Sequence, residues 1–397
     1  MDLNLGGFGD RRLGKGGVDL LARLVSHGAR GVRVRRLGGD RAGEIRFTRF
    51  LRTPSVTLYE MTGAAFERTQ AACAGRDVLA VQDTTVIRSA GGGGSFLHAM
   101  IAVDAASGAV LGALDARFME CTEGGKASCR SRGFEDRQSV RWLDPARKAG
   151  ELTGAARVTV VADREADMFE LFAHRPAHVH LLVRAMHDRV LIGGGKLAAE
   201  IAAGPRLGYA ALDLPARPGR AARTARLSVR FGRLDLRPPR ENRKTCREAV
   251  PMVYVDLREE TPPEGDSPLH WRLLTTLEVE TVADALDVAA RYSRRWKIEE
   301  LFRTMKRKGF DIESLRIRDA APRNRLVLAC FIAATVVMQM TAERDGPALR
   351  PLTGAFDPEE GPLLEALCRD LEGGTERQKT PIPRVASHSQ HGSARAS

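Results

Sequence analysis

The stretch YSRRWKIEELFRTMK, residues 292–306, carries the most informative pattern in the chain. Tyr292, Arg295, Glu299 and Lys306 recur within it at offsets of 0, 3, 7 and 14. At about 100° per residue these four side chains fall within a stripe of roughly 60° on one helix. The pattern therefore predicts a helix that frames one carboxylate with a phenol and two cations, while its apolar residues pack along a neighbouring face.

Two further carboxylates follow short apolar runs. Asp83 comes after residues 78–81 with Gln82 between them, and Asp163 directly follows residues 158–162. Runs of this length and composition predict buried strands, which places both acids at strand ends. Two acids at strand ends and one on a helix are typical of a metal site, because carboxylate oxygens are the natural ligands of magnesium.

Neighbouring acids compete for the same role. Glu300 lies about 100° further round the helix than Glu299 and leaves the stripe, so we assign the ligand to Glu299. Asp167 is placed to cap or begin a helix, and Glu165 points away from the end of the strand before Asp163. Capping and surface charge are therefore the favoured interpretations of those two acids.

The charge of the chain favours a polyanionic partner. Its formal net charge is +12, and 62 of its 397 residues are lysine or arginine. Arginine greatly outnumbers lysine and can bind a phosphate with two parallel hydrogen bonds. A GC-rich genome is the alternative explanation of such a composition. Residues 1–52 hold a large share of the excess positive charge. This indicates a surface that binds a phosphate backbone or, alternatively, a solvated basic arm.

Hydrophobic periodicity predicts a mixed α/β protein. Helices are expected over 10–27 and 59–74, and a third, apolar helix over 324–340. Between the second of these helices and residue 184, apolar runs predict strands, a hairpin and one helix. Short β-like runs punctuated by prolines fill 185–277 and predict a β-rich insertion. The longest apolar stretch is too short for a membrane span, so we expect a cytoplasmic protein without a membrane partner.

Three motifs together carry a resemblance to a known family. Gln82-Asp83-Thr84-Thr85, the segment from Asp163 to Asp167 and the Tyr-(2)-Arg-(3)-Glu-(6)-Lys helix resemble the DDE transposases of bacterial insertion sequences. The similarity is greatest to the insertion-sequence-four family of the transposon-five type, and it covers about residues 8–367. It implies an RNase H-like catalytic core interrupted by a β-rich insertion and preceded by a small helical N-terminal DNA-binding domain.

The resemblance also implies a chemistry. Asp83, Asp163 and Glu299 would form the catalytic and metal-binding triad for two Mg²⁺ ions, with Mn²⁺ able to substitute. The reaction would be cut-and-paste transposition through a DNA hairpin. Partners would be double-stranded DNA, namely terminal inverted repeats and target DNA, and a second protomer in a homodimeric synaptic complex. A bacterial, nucleoid-associated location in the cytoplasm follows.

Further residues acquire DNA-binding roles by the same resemblance. Tyr292, Arg295 and Lys306 would contact a DNA phosphate near the cleaved end. Trp271 matches the position whose indole stacks on a base flipped out during hairpin formation, with a tryptophan in the core of the β-rich part as the alternative. Arg184 is a further candidate for DNA contact.

The domain boundaries and two rival functions complete the prediction. Relatives continue through a longer C-terminal helical region that pairs two protomers, whereas this sequence becomes poor in apolar residues after about Gly373. One rival is therefore a catalytically inactive, C-terminally truncated DNA-binding remnant or inhibitor of transposition, and the other is a general metal-dependent nuclease. We predict a DNA-binding domain over 1–74, the first part of the core over 75–184, the insertion over 185–277, the second part of the core with the signature helix over 278–345, and a truncated, partly disordered region over 346–397.

Overall fold

The computed structural model describes most of the chain between residues 3 and 345. The predicted C-terminal region lies outside the described residues. These are 3–27, 31–88, 94–120, 135–214, 222–240, 246, 248–266, 268–306 and 309–345.

Four helices form the N-terminal part of the structure. They are α1 (Arg11–His27), α2 (Val34–Gly38), α3 (Arg41–Arg52) and α4 (Leu58–Cys73). Asp40 caps α3 by accepting a 2.7 Å hydrogen bond from the Gly43 N–H. α2 and α3 approach so closely that a Cβ added at Gly38 or Gly43 would lie within 2.3 Å of backbone atoms. Glycine is therefore required at both positions. Hydrophobic periodicity predicts α1 and α4 but not α2 and α3.

One large mixed sheet organises the rest of the chain. Its spatial order is β3-β2-β1-β4-β5-β9-β8-β7-β6. β1, β4 and β5 are parallel, and every other neighbouring pair is antiparallel. The strands are β1 (Asp77–Arg88), β2 (Gly94–Asp104), β3 (Val110–Glu120), β4 (Arg157–Ala162), β5 (Val179–Arg184), β6 (Gly208–Leu214), β7 (Arg223–Leu236), β8 (Val250–Glu259) and β9 (His270–Thr275). The mixed α/β class is thus confirmed.

The predicted β-rich insertion is continuous with this sheet. β9 pairs with β5 on one side and with β8 on the other, so the strands of the insertion extend the central sheet. Sequence alone did not show this continuity, because the β5–β9 pairing joins segments nearly a hundred residues apart.

Each face of the sheet is covered by a separate hydrophobic core. Alternation along β1 sends Leu79 and Val81 into one core and Val78 and Ala80 into the other. The first core contains the N-terminal helices together with α8 (Val282–Ser293), α9 (Trp296–Lys306) and α10 (Ala320–Asp345). The second contains part of α4 with α5 (Glu135–Ala149), α6 (Phe169–His174) and α7 (Leu197–Ala203).

The last helix, α10, is long and apolar enough by composition to cross a membrane. Of the most apolar 18-residue window within 320–341, however, 67% is buried inside the protein. Residues 326–334 are almost fully inaccessible and belong to the first core. This burial is typical of the central helix of a folded core.

The structure corrects two local expectations. The predicted helix over 292–306 is two helices, because α8 ends at Ser293 and α9 begins at Trp296. Backbone hydrogen bonds from residue i+3 to residue i tighten the joint, so the 100° step does not hold across it. Asp83 does not end its strand: β1 continues to Arg88 by pairing with β2, although its parallel pairing with β4 stops at Val81.

Candidate active site

Asp83 lies where β1 leaves its parallel neighbour. The last β1–β4 pair is Val81 with Val161, and Asp83 comes two residues later on the face covered by α8, α9 and α10. Its carboxylate accepts a 2.7 Å hydrogen bond from the Thr84 N–H. Asp83 is therefore partly buried and lies where β1 is no longer paired with β4.

The environment of Asp83 disfavours its charge. Burial raises the pKa of Asp83 to about 6. The hydrogen bond from Thr84 and the cation of Arg295 oppose that rise, whereas the carboxylates of Glu299 and Asp163 add to it. Three acids are thus close enough to influence one another electrostatically.

Asp163 follows β4 on the same face. It comes two positions after Val161, so it stands beside Asp83 at the carboxyl ends of two parallel strands. The Tyr292 hydroxyl donates a 3.0 Å hydrogen bond to its carboxylate. Burial, together with the Asp163 charge, raises the pKa of Tyr292, so this phenol stays protonated and remains a donor.

Arg295 links the carboxylates from three separate elements. Its guanidinium donates to Asp83 at 3.1 Å and to Glu299 at 2.6 Å, and it lies 3.8 Å from Asp163. Only 5% of Arg295 is exposed. Burial lowers its pKa, but Tyr292 and the carboxylates outweigh that effect and raise it above the ordinary value. Arg295 is therefore a permanent cation at the centre of the site.

The donor set has the right chemistry for divalent ions. Three carboxylates and one guanidinium leave a formal charge of −2, which a hard cation would neutralise. Among the described residues, however, no group of three acids, histidines or cysteines is close enough to hold one ion directly. The Arg295 guanidinium lies between the acids. Asp83, Asp163 and Glu299 therefore fit a metal site in type, with Arg295 as the resident cation.

Two aromatic rings meet beside Asp163. The rings of Trp271 and Tyr292 pack edge to face, with centroids 5.6 Å apart and an interplanar angle of 69°. Trp271 is partly buried against the first core. Arg184 lies at the end of β5 and donates a 2.9 Å hydrogen bond to the His270 carbonyl next to Trp271. The structure thus brings Trp271 to the triad through Tyr292.

Lys306 is the last residue of α9. Its ammonium lies 3.9 Å from a Glu313 carboxylate oxygen. Of the competing acids, Glu300 pairs with Lys297 at 2.9 Å, and Glu165 pairs with Arg141 at 3.3 Å.

Asp167 has a structural role that the sequence did not predict. Its buried carboxylate accepts hydrogen bonds from the Met186 and His187 N–H groups and from Arg189. The residue before α6 is Met168, so Asp167 does not cap that helix. It fixes the loop after β5 instead.

A buried polar network supports Asp83 from the opposite face of the sheet. His98 is 1% exposed and bonds Gln82 at 3.1 Å and Thr84 at 2.9 Å, the two neighbours of Asp83. The His98 ring packs edge to face on Trp142 of α5, with centroids 4.6 Å apart. This network was not predicted from the sequence. A glutamine within an apolar strand was the available signal.

One comparison with known families bears on this site. A family model described as a transposase DDE domain matches residues 82–336, which is more than half of the chain. The matched segment begins one residue before Asp83 and includes Asp163, Trp271, Arg295 and Glu299.

Proposed function

The chain belongs to the transposase DDE domain family, and on that premise we propose that it is a cut-and-paste DNA transposase. Membership implies a transposition enzyme that acts on DNA, and such enzymes generally use divalent metal ions. Within the family we assign the chain to the insertion-sequence-four branch with the Tyr-Arg-Glu-Lys signature. The spacing of Tyr292, Arg295, Glu299 and Lys306 supports this assignment.

The proposed catalytic core is RNase H-like. Support comes from the sheet order β3-β2-β1-β4-β5, in which the three strands nearest the acids are parallel. Side chains at the carboxyl ends of neighbouring parallel strands face a common crevice, where α/β proteins bind their ligands. Asp83 and Asp163 occupy this position.

The convergence of three carboxylates on Arg295 is the observation that carries the proposal. Asp83 comes from β1, Asp163 follows β4, and Glu299 lies in the first turn of α9. An isolated acid at any of these positions would be explained by solvation or capping. Three acids that approach one buried guanidinium favour a functional site over three unrelated surface acids.

Each residue has a proposed task in the reaction. Asp83, Asp163 and Glu299 would hold two Mg²⁺ ions, which stabilise charge on the attacking and leaving oxygens of a phosphodiester. Tyr292 orients Asp163 through its hydroxyl and lies beside the DNA phosphate. Arg295 holds Asp83 and Glu299 through its guanidinium, and its charge would attract that phosphate.

The DNA is processed in two successive steps. Water first cleaves a phosphodiester bond at the element end. The released 3′-hydroxyl then attacks a second phosphodiester bond, which closes a DNA hairpin at that end. Trp271 offers a ring for the base that the hairpin extrudes, while Lys306 and Arg184 contact the backbone. Two protomers would pair two ends in the bacterial cytoplasm, at the nucleoid.

The N-terminal helices are proposed to bind the terminal inverted repeats. Four arginines of α3 are exposed, three of them in surface ion pairs that a phosphate can replace, which suits contacts with DNA. They are Arg41, Arg46, Arg49 and Arg52.

Cleavage of the element's own end tests the function. A labelled duplex carrying the flanking inverted repeat is incubated with Mg²⁺ and either the wild type or Asp163→Asn. Glu165→Gln is the matched control, since Glu165 lies two residues away and pairs with Arg141 at the surface. We expect nicks and hairpins from the wild type and the control, and binding without cleavage from Asp163→Asn.

Two outcomes would contradict the proposal. Equal cutting of an unrelated duplex would indicate a general nuclease. Binding of the end by the wild type without any cleavage would indicate an inactive DNA-binding remnant that inhibits transposition.

A further inference from the structure

One face of the β6–β9 sheet carries a row of polar side chains. Strand register aligns Tyr209, Ser228, Arg258 and His270 across four strands. A second row aligns Arg230, Asp256 and Arg272. We call this surface the arginine face, and it consists of Tyr209, Arg226, Arg230, Arg258, His270 and Arg272.

The opposite side of the same strands is apolar. Leu227, Val229 and Val255 alternate with residues of the arginine face and are buried in the first core. Around these two rows the strands show the alternation of buried and polar residues expected of antiparallel strands, while further along β8 and β9 the polar side continues into the second core at Tyr254 and Leu274. The arginines are therefore placed on the outer side by the strand pattern.

The arginine face has more positive than negative charge. The acid at its centre, Asp256, is buried and shared by His270 at 2.7 Å and Arg272 at 3.4 Å. In the part of the chain that the structure describes, no carboxylate pairs with Arg226, Arg230 or Arg258. Two of these three, Arg226 and Arg258, are exposed. The face thus presents cations whose charge is not neutralised locally.

An aromatic ring holds part of this charge in place. Tyr209 is 42% exposed, and the Arg226 guanidinium lies 3.9 Å from its ring centroid. Arg206 donates a 2.7 Å hydrogen bond to the Tyr209 hydroxyl and pairs with Glu260 at 3.0 Å. Cation–π contact and hydrogen bonding therefore order two arginines at the edge of the face.

β9 connects the arginine face to the candidate active site. His270 and Arg272 belong to the face, while Trp271 between them points to the other side and packs on Tyr292. Adjacent residues of one strand thus serve the site and the face. Because β9 is paired on both sides, a polymer bound at the site would reach the face past the His270 end of the strand.

We propose that the arginine face binds the phosphate backbone of duplex DNA, independently of sequence, next to the cleavage site. Arginine forks match phosphate oxygens, and contacts of this kind position DNA without reading its bases. The inference deepens the proposed function and rests on it only in identifying the polyanion as DNA.

The salt dependence of binding tests this surface directly. The full chain is titrated with a short duplex of arbitrary sequence, without a metal ion, over a range of salt concentrations. The variant is Arg226→Gln/Arg258→Gln. The control is Arg233→Gln/Arg237→Gln, which removes two exposed arginines at the other end of β7. The slope of log K against log salt is negative, and each lost phosphate contact reduces its magnitude by about 0.9. We therefore expect the slope to be about 1.8 shallower for the variant than for the control.

Binding and cleavage are measured separately, so the two proposals fail separately. A wild type that does not cut its element end would overturn the proposed function but leave the slope comparison intact. Equal slopes in the variant and the control, with unchanged thermal unfolding, would overturn the arginine face. A variant that changes sedimentation in the absence of DNA, with no change in slope, would also overturn it and indicate a contact between copies of the chain.

Discussion

Arg295 supplies the positive charge on which the candidate site depends. Its side chain is nearly inaccessible, and it contacts Asp83 and Glu299 directly. Because the contact to Asp83 spans 212 residues of sequence, no local pattern could predict it. The family resemblance implies that Arg295 contacts a DNA phosphate, and that role stays a prediction.

Replacing Arg295 separates its two electrostatic effects. Arg295→Gln leaves three carboxylates without their shared cation, so we expect unfolding to become easier by roughly 1–3 kcal/mol in the absence of metal. Mn²⁺ should bind at least about tenfold more tightly, because a competing positive charge is gone. Calorimetric titration and thermal unfolding measure both effects. Arg303→Gln, on the exposed side of α9, is the control. Weaker Mn²⁺ binding in Arg295→Gln would contradict this account of the site.

At the scale of elements, α5 and β2 together hold β1 at Asp83. Trp142 of α5 packs on His98 of β2, and His98 bonds the residues on either side of Asp83. Burial lowers the pKa of His98 well below its ordinary value, and the cations of Arg141 and Arg117 act in the same direction. The ring is therefore neutral in the folded protein.

The neutral His98 makes stability depend on pH. Below its unfolded pKa of about 6.5, the unfolded chain binds a proton that the folded chain does not, so stability falls as the pH falls. His98→Gln should lower stability at pH 8 by about 1–3 kcal/mol through lost hydrogen bonds. It should also make the decline between pH 7 and 5 shallower. Chemical denaturation over that range checks both effects. His187→Gln, an exposed histidine, is the control, and an unchanged pH slope in His98→Gln would count against a neutral buried ring.

Several elements were predictable because their signal is local. Strand β5 and helix α4 follow from apolar runs and periodicity in their own residues. The break between α8 and α9 was not predictable, because the residues around Arg294 have no proline or glycine and read as a continuous helix. Helix α3 was missed since its large buried apolar residues, Phe47, Phe50 and Leu51, are few among arginines.

At the scale of the whole molecule, one sheet joins the proposed catalytic and DNA-binding surfaces. Its parallel centre presents the acids, and its antiparallel extension through β9 presents Trp271 on one side and the arginine face on the other. The sequence predicted a β-rich segment but not its attachment, since pairing of distant strands depends on the folded chain. Because the strands are continuous, the candidate site and the β6–β9 extension keep a fixed position relative to each other.

The most direct measurement compares two adjacent glutamates of α9 in Mg²⁺-dependent cleavage of the element end. Glu299 contacts Arg295, whereas Glu300 pairs with Lys297 at the surface. We expect Glu299→Gln to lose cleavage by at least about a hundredfold, since even indirect supports of metal ligands are worth 10- to 100-fold, while end binding persists. Glu300→Gln should cleave like the wild type. Equal cleavage by the two variants, or loss only in Glu300→Gln, would contradict the assignment of the triad.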